Sequence, residues 1–328
     1  MPKKPSAVDR YCWRLGILDP ASPLRVNVPV IATIAAFHAL ALLACVPWLF
    51  SWSGLAWCAL GPYVFGTLGI NVCYHRLLTH RGFACPRWLE HGLSVLGVCC
   101  WQGTPVNWVA VHRMHHQNSD VTADPHSPRK SFFWSHMGWF MVIDPAIYNL
   151  GTFDRYARDL IHDRFYKWLE HRGVYRKIQW CQWGAFLAAG ALAGWLTTWT
   201  PSGALQLGLS WLVWGVILRT VIVWHITWSV NSLGHVWGYQ TFDTADDSRN
   251  NWLVGLISNG EGWHNNHHAD PRCAAHGLRW WEFDVSYLTI CALAWLGLIR
   301  DVMPPRHKDP QAPGSPPAST PAKETAAA

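Results

Sequence analysis

Charge is scarce in this sequence. Only 14% of its 328 residues are Asp, Glu, Lys or Arg, against about 25% in an ordinary soluble domain, which argues against a chain wholly surrounded by water. Glu is the rarest of them, with five copies. No C-x-x-C pair occurs among the ten Cys, which excludes a zinc ribbon or a thioredoxin-like redox pair. Several Cys (Cys45, Cys58, Cys99, Cys100, Cys291) stand in apolar runs and read as reduced packing thiols. The formal charge of +6 comes without a Lys/Arg-rich block, so no nucleic-acid partner is expected. The first 25 residues are polar and basic and lack a short apolar core with a cleavage site, so no cleaved leader is expected.

What is abundant points to a bilayer. Half of the residues are hydrophobic and 24 are Trp, although a mean hydropathy of +0.04 requires a sizeable polar portion beside any spans. Four stretches approach the roughly 20 apolar residues that a span needs: about 28–50, 55–74, 178–199 and 205–228. Two very short links, Ser51–Gly54 and Thr200–Ala204, join them into two hairpins. Of the 26 Lys and Arg, five precede the first span, thirteen lie between the second and third, and seven follow the fourth. Neither hairpin link carries any, so both termini and the central segment are expected on the cytoplasmic face. Trp88–Gly103 is apolar but short, and reads as an interfacial or buried helix. The expectation is an all-α integral membrane protein: a segment 1–27, a membrane domain 28–303 with a cytoplasmic helical cap, and a disordered Pro/Ala-rich tail 304–328.

Nine of the 18 His fall in compact groups outside the spans. They are His75 and His80 in HRLLTH, His112, His115 and His116 in HRMHH, His235 in NSLGH, and His264, His267 and His268 in HNNHH. Composition alone predicts roughly 0.05 H-x-x-H-H matches per chain, and two occur. On a helix, residues i and i+4 address one point while i+3, turned from its neighbour, reaches a second. His112 with His116 and the separately turned His115 therefore suggest two metals, as do His264, His267 and His268. His75 and His80 lie about 140° apart around an α-helix, so a helix end intervenes or the pair embraces a metal from two directions.

Imidazole suits Fe, Cu, Zn or Ni. Nine His would give each of two metals four or five nitrogens, where a single structural zinc uses four ligands. Asn231, one turn before His235, is placed to hold a metal-bound water. A carboxylate-bridged di-iron bundle would need paired Glu-x-x-His motifs, and only Glu261–His264 occurs. Glu261 instead reads as a carboxylate orienting a ligand imidazole, as do Asp120 and Asp124 after the second box. A haem between spans would need His within them. Only His38 and His225 lie there, and both read as packed or hydrogen-bonded. His126 and His136 are candidates for supporting roles, while His91, His162, His171, His276 and His307 read as surface or structural. Arg219, inside the fourth span, pairs within the bundle or flanks a tunnel.

The strings HRLLTH, WVAVHRMHHQNSDVTADPHSPRKSFFWSHMGW, NSLGHVWGYQTFDT and GEGWHNNHHADP, in this order and spacing, resemble the acyl-CoA (stearoyl-type) Δ9 fatty acid desaturases, particularly bacterial ones. The resemblance implies a mushroom-shaped four-span protein of the bacterial inner membrane. Its cap would hold two irons on the nine His, with Asn231 contacting one through water. A long acyl chain in a bent tunnel would then receive a cis double bond in an O2-dependent step. Arg129 and Lys130 match basic positions near a CoA headgroup. The Arg-Asp pair of animal members is replaced by Ala110 and Val111, which leaves acyl-CoA, a phospholipid chain or a carrier-protein chain as substrates. No HPGG-like haem-domain signature occurs in the sequence, so electrons are expected from a separate ferredoxin, rubredoxin or small haem cytochrome. Two other readings compete: hydroxylation of an alkyl chain or lipid on the same scaffold, and a non-catalytic metal-binding membrane protein such as a transporter or sensor. The transporter would place its ligands near the bilayer midplane, not on one face.

Overall fold

The computed structural model describes residues 24–306. The segment expected at 1–27 and the tail expected at 304–328 lie outside the described residues, save 24–27 and 304–306. The fold is helical. Helix α1 (Val28–Ala41) starts on Pro29, whose missing N–H costs nothing in a first turn. Helix α2 (Trp52–Thr79) is capped by the Ser51 hydroxyl, which accepts from Gly54 N at 2.9 Å. Then come α3 (Arg87–Val98), α4 (Pro105–Asn118), α5 (Leu150–Ile161) and α6 (Arg164–Glu170). After these run α7 (Val174–Thr198), α8 (Pro201–Val236), α9 (Trp252–Ile257), α10 (His264–Ala269) and α11 (Val285–Trp295). A two-residue antiparallel pair, β1 (Arg25–Val26) and β2 (Val142–Ile143), ties the start of α1 to the cap.

Among the described residues, three helices are long and apolar enough to cross a membrane: Val28–Cys45, Trp52–Thr79 and Pro201–Val236. They cover the first, second and fourth expected spans. The stretch 178–199 forms most of α7, which has the length at 25 residues but is not among the three. Its composition explains this, because Gln179 and Gln182 interrupt the apolar run and both are buried.

Those glutamines serve α3. This helix ends inside the protein, where water cannot satisfy its last carbonyls. Gln179 Nε2 donates to Val98 O at 3.1 Å, Gln182 donates to Cys99 O at 3.2 Å, and Trp224 Nε1 donates to Cys100 O at 2.7 Å. Arg219 Nη1 adds a 3.3 Å bond to Cys99 O and stacks over Phe65 at 4.1 Å. The buried arginine is therefore a cation at the negative end of a helix dipole, and no carboxylate among the described residues pairs with it. Small residues permit close helix crossings elsewhere in the bundle. A Cβ on Gly69 would lie 2.4 Å from Gly97 N, and one on Gly194 would lie 2.3 Å from Gly203 O.

Candidate metal centre

Each histidine box is fixed by its own local device. Helix α2 does not end as an α-helix: it winds with i→i+5 bonds from Pro62 to Thr79, a form often found at functional sites. The last such bond, His80 N to His75 O at 3.1 Å, brings His80 back over His75, with ring centroids 4.8 Å apart. The wider turn thus resolves a five-residue spacing that an α-helix would splay. On α4, capped by Thr104 with Pro105 in its first turn, His112 and His116 share a face while His115 turns aside. On α10 the two asparagines hold the helix to the cap. Asn265 accepts from Thr241 N and Phe242 N, and Asn266 donates to Glu282 at 2.9 Å. His264, His267 and His268 are left facing inward.

The result is two groups. His75, His80, His112, His116 and His267 form one, and His115, His235, His264 and His268 the other, with ligand atoms within 4.8 Å in each. The groups abut, since His116 and His268 have ring centroids 4.5 Å apart. Within the first, Nε2 of His75 and His267, of His112 and His116, and of His116 and His267 lie 3.0, 3.1 and 3.0 Å apart. Within the second, Nε2 of His235 and His264 and of His264 and His268 are separated by 3.0 and 3.1 Å. Nitrogens at right angles on a sphere of about 2.1 Å radius are about 3.0 Å apart, and at tetrahedral angles about 3.4 Å. The spacing and the donor number therefore fit metals of coordination number above four. The Nε2 atoms of His80 and His115 are buried without a protein partner, as ligand atoms awaiting a cation would be.

Carboxylates behind the rings set the tautomers. His115 Nδ1 donates to Asp124 at 3.0 Å, His235 Nδ1 to Asp120 at 2.8 Å and His268 Nδ1 to Asp246 at 2.8 Å, while His75 Nδ1 donates to Glu261. With Nδ1 held by a carboxylate, each ring turns its Nε2 into the site. Burial, reinforced by neighbouring imidazoles, holds His80, His112, His116, His264, His267 and His268 well below the ordinary histidine value, which keeps them neutral, the form a metal takes. Burial alone would raise the Glu261 carboxyl, but Arg76, His75 and His276 bring it well below the usual range. His115, and with it His126, does the same for Asp124. Against its own burial, His115 is raised by Asp124.

All nine clustered histidines thus meet, and Asp120, Asp124 and Glu261 stand behind three of them. Three further groups escaped the sequence reading. Asp246 was one charge in an Asp-Asp pair. Arg76 is fully buried and bonds Glu261 at 2.8 Å, Asp284 at 2.9 Å and Ala274 O at 2.7 Å. His276, read as surface or structural, is buried against His267 with ring centroids 4.3 Å apart. Its adjacency to Arg76 spans 200 positions and leaves no local signal. His126 stacks on His115 at 4.2 Å. His38, His225 and His136 are hydrogen-bonded in a chain, each contact 3.0 Å. Arg129 engages Asp247 at 2.6 Å and Asp120 O at 2.9 Å, and Lys130 lies 3.1 Å over the Trp134 ring.

A cavity of about 560 Å³ begins at His75, His112, His264 and Asn231 and extends past Trp228, Trp224 and Trp101 to Arg176 and Trp180. Its size is that of a small-molecule site, and its aromatic wall suits an apolar occupant.

Comparison with known proteins agrees with this geometry. The family model described as Fatty acid desaturase matches residues 47–284. The chain is 41% identical to an sn-2 palmitoyl-lipid 9-desaturase of Nostoc sp. (strain 36), covering 86% of this chain and 94% of that one. It is 39% identical to an sn-1 stearoyl-lipid 9-desaturase of Synechocystis sp. (84% and 80%) and 38% identical to an acyl-CoA 5-desaturase of Anemone leveillei (84% and 79%). With a histidine-lined cavity and relatives alike over most of its length, the chain belongs to the fatty acid desaturase family and is an oxidoreductase acting on fatty acyl chains.

Proposed function

We propose that this enzyme introduces a cis double bond at position 9 of a saturated acyl chain carried by a membrane lipid. Two irons on the nine clustered histidines would do so, with Asn231 meeting the second through a water. The observation that carries the proposal is the convergence of nine imidazoles, four with their tautomers set by carboxylates, on the inner end of an apolar cavity. Bound iron supplies with O2 the redox chemistry that an unactivated methylene requires and that acid–base side chains lack.

The protein's own residues do the rest. The carboxylates present Nε2 lone pairs, the tryptophans of the cavity wall lay the chain past His112 and His264, and the enclosed wall excludes water from the reacting carbons. Asn231 lies one turn before His235 on α8 and lines the same cavity, in the group that has four imidazoles rather than five.

The membrane arrangement follows from the same features. Helix α7 serves as a fourth span, because its two glutamines face α3 and leave its outer surface apolar. The spans then pair as two hairpins, α1–α2 and α7–α8, and the Lys/Arg distribution puts the termini, cap and metals on the cytoplasmic side. A lipid rather than a CoA carrier is favoured by the state of the residues that would meet a CoA headgroup. Ala110 and Val111 are buried, Arg129 and Lys130 are engaged with Asp247 and Trp134, and Arg176 lines the cavity. Electrons come from a separate ferredoxin, rubredoxin or small haem cytochrome.

The test is the fatty acid profile, by gas chromatography with mass spectrometry, of a desaturase-deficient host expressing the chain, with His116→Ala as control. New monounsaturated chains, absent from the control, are expected, and lipase release by glycerol position identifies the carrier. Hydroxylated chains instead would overturn the reading.

A further inference from the structure

Helix α11 presents an apolar stripe that no other part of the described residues covers. Leu288, Cys291, Ala292, Trp295 and Leu296 are exposed, at i, i+3, i+4, i+7 and i+8, one continuous face of a helix. The exposure is large: 61% for Leu288, 86% for Trp295 and 59% for Leu296. The opposite face is packed. Ile290 is fully buried, Ser286 Oγ accepts from Asn71 Nδ2 at 3.2 Å, and Thr289 Oγ1 meets Tyr63 Oη at 3.0 Å.

Those contacts set the helix's depth. Asn71 and Tyr63 both belong to α2, and Tyr63 lies near the middle of the 28-residue stretch Trp52–Thr79, which is long and apolar enough to cross a membrane. Along α11 the contacts therefore descend from the metal-centre end of α2 toward its midpoint. The chain enters at Asp284, which is bonded to Arg76, and climbs back at Arg300, which pairs with Ala84 through backbone bonds of 2.8 and 2.9 Å. A segment that goes down one side of a spanning helix and returns to the same side is re-entrant.

We propose that α11 is a membrane-embedded half-helix whose Leu288–Leu296 stripe lies in the acyl region of the cytoplasmic leaflet and anchors the cap at fixed depth. The occupant of the stripe is lipid, because α11 packs along α2, a helix long and apolar enough to cross a membrane, and the stripe carries no charged side chain. An 11-residue apolar helix is too short to span but has the length of a re-entrant or interfacial segment. Water is excluded as the neighbour by the size of the apolar stripe. The anchor also gives the HNNHH box a floor, since Asp284 before α11 and Glu261 before α10 are joined through Arg76, and Glu261 in turn holds His75.

The test is site-directed spin labelling at Cys291 in full-length protein carrying Cys12→Ser, Cys45→Ser and Cys181→Ser, reconstituted in phosphatidylcholine–phosphatidylglycerol nanodiscs. Power saturation is read with O2 and with a water-soluble nickel chelate. O2 is expected to relax the label more strongly than nickel, with the order reversed for a label at Arg155→Cys on the exposed face of α5. A second label at Ala292→Cys in a Cys291→Ser background guards against a local defect and should repeat the result. Stronger relaxation by nickel at both positions would place the stripe in water and overturn the proposal. Exclusion of both reagents with label–label dipolar broadening would place a second copy of the chain on it, and would overturn it equally.

Discussion

Each carboxylate behind a histidine should control the metal on its own side of the centre, and Asp120 offers the sharpest test. Its Oδ2 accepts from His235 Nδ1 at 2.8 Å and from Asp247 N at 2.9 Å, and its Oδ1 from Ser127 Oγ at 2.9 Å. Asp120→Ala removes the charge-assisted bond that fixes the His235 ring, worth about 1.5–3 kcal/mol. At about 1.4 kcal/mol per tenfold, that is roughly 10- to 100-fold in metal retention, the range found for partners of metal-bound histidines. Because His235 belongs to the four-histidine group, the loss should fall on one metal. Glu261→Ala should release the other, since Glu261 holds His75 of the five-histidine group. The assay is metal per polypeptide by mass spectrometry after timed chelator challenge of nanodisc-reconstituted protein. Each variant should pass through a plateau near one metal that the wild type lacks. Asp120→Asn keeps an acceptor for His235 and should fall between the two. Simultaneous loss of both metals from Asp120→Ala, at unchanged thermal stability, would refute the assignment of separate carboxylates to separate groups.

Other perturbations have defined outcomes. Removing metal should lower the melting temperature, and readdition should restore it, because an ion that binds only the folded state stabilises by about 2.7 kcal/mol at a hundred times its Kd. Arg219→Met should lower thermal stability by about 1–3 kcal/mol, the cost of leaving a buried acceptor underserved, while Arg219→Lys should lose less; both are read by thermal denaturation in detergent. Gly69→Leu should abolish folded yield by size-exclusion chromatography, because even its Cβ would sit 2.4 Å from Gly97 N. Asp159, bonded to Arg81 and Arg113, has its carboxyl pushed down, against burial, to about 2. Its contribution to stability is thus complete above the ordinary value of 3.8 and lost as pH falls through about 2. An Asp159→Asn variant should flatten that acid limb in a melting-temperature profile against pH.

The histidine boxes were legible because ligand spacing is local: i, i+3 and i+4 on α4 and α10 read directly from the chain. Asp120, Asp124 and Glu261 were legible because they sit within a few residues of boxes. Asp246 serves His268 from 22 positions away, and Arg76 meets Asp284 across 208, so neither leaves a periodic trace. The winding of α2 was hidden as well, because no composition rule distinguishes an i→i+5 turn from the end of an α-helix; only the awkward spacing of His75 and His80 hinted at it. Span counting ran into a related difficulty. Gln179 and Gln182 lower the hydropathy of α7 for a reason found in α3, some 80 residues earlier in the chain. Helix α11, at 11 residues, fell below the length at which a hydrophobic run announces a membrane element.

The capping of α3 carries a consequence for how the molecule is made. The bond from Arg219 to Cys99 O closes over 120 residues, so the ribosome has yet to synthesise the cation when the carbonyl emerges. At about 5–20 residues per second, the interval is on the order of 6–24 s. Until then the end of α3 has unsatisfied acceptors and must wait at the watery surface, released into the helix packing only when α7 and α8 arrive. The aromatic wall of the cavity, which begins at Trp101 just beyond that end, is therefore a late-born surface. A nascent chain stalled before residue 219 would carry its first two histidine boxes but no finished chamber for a substrate.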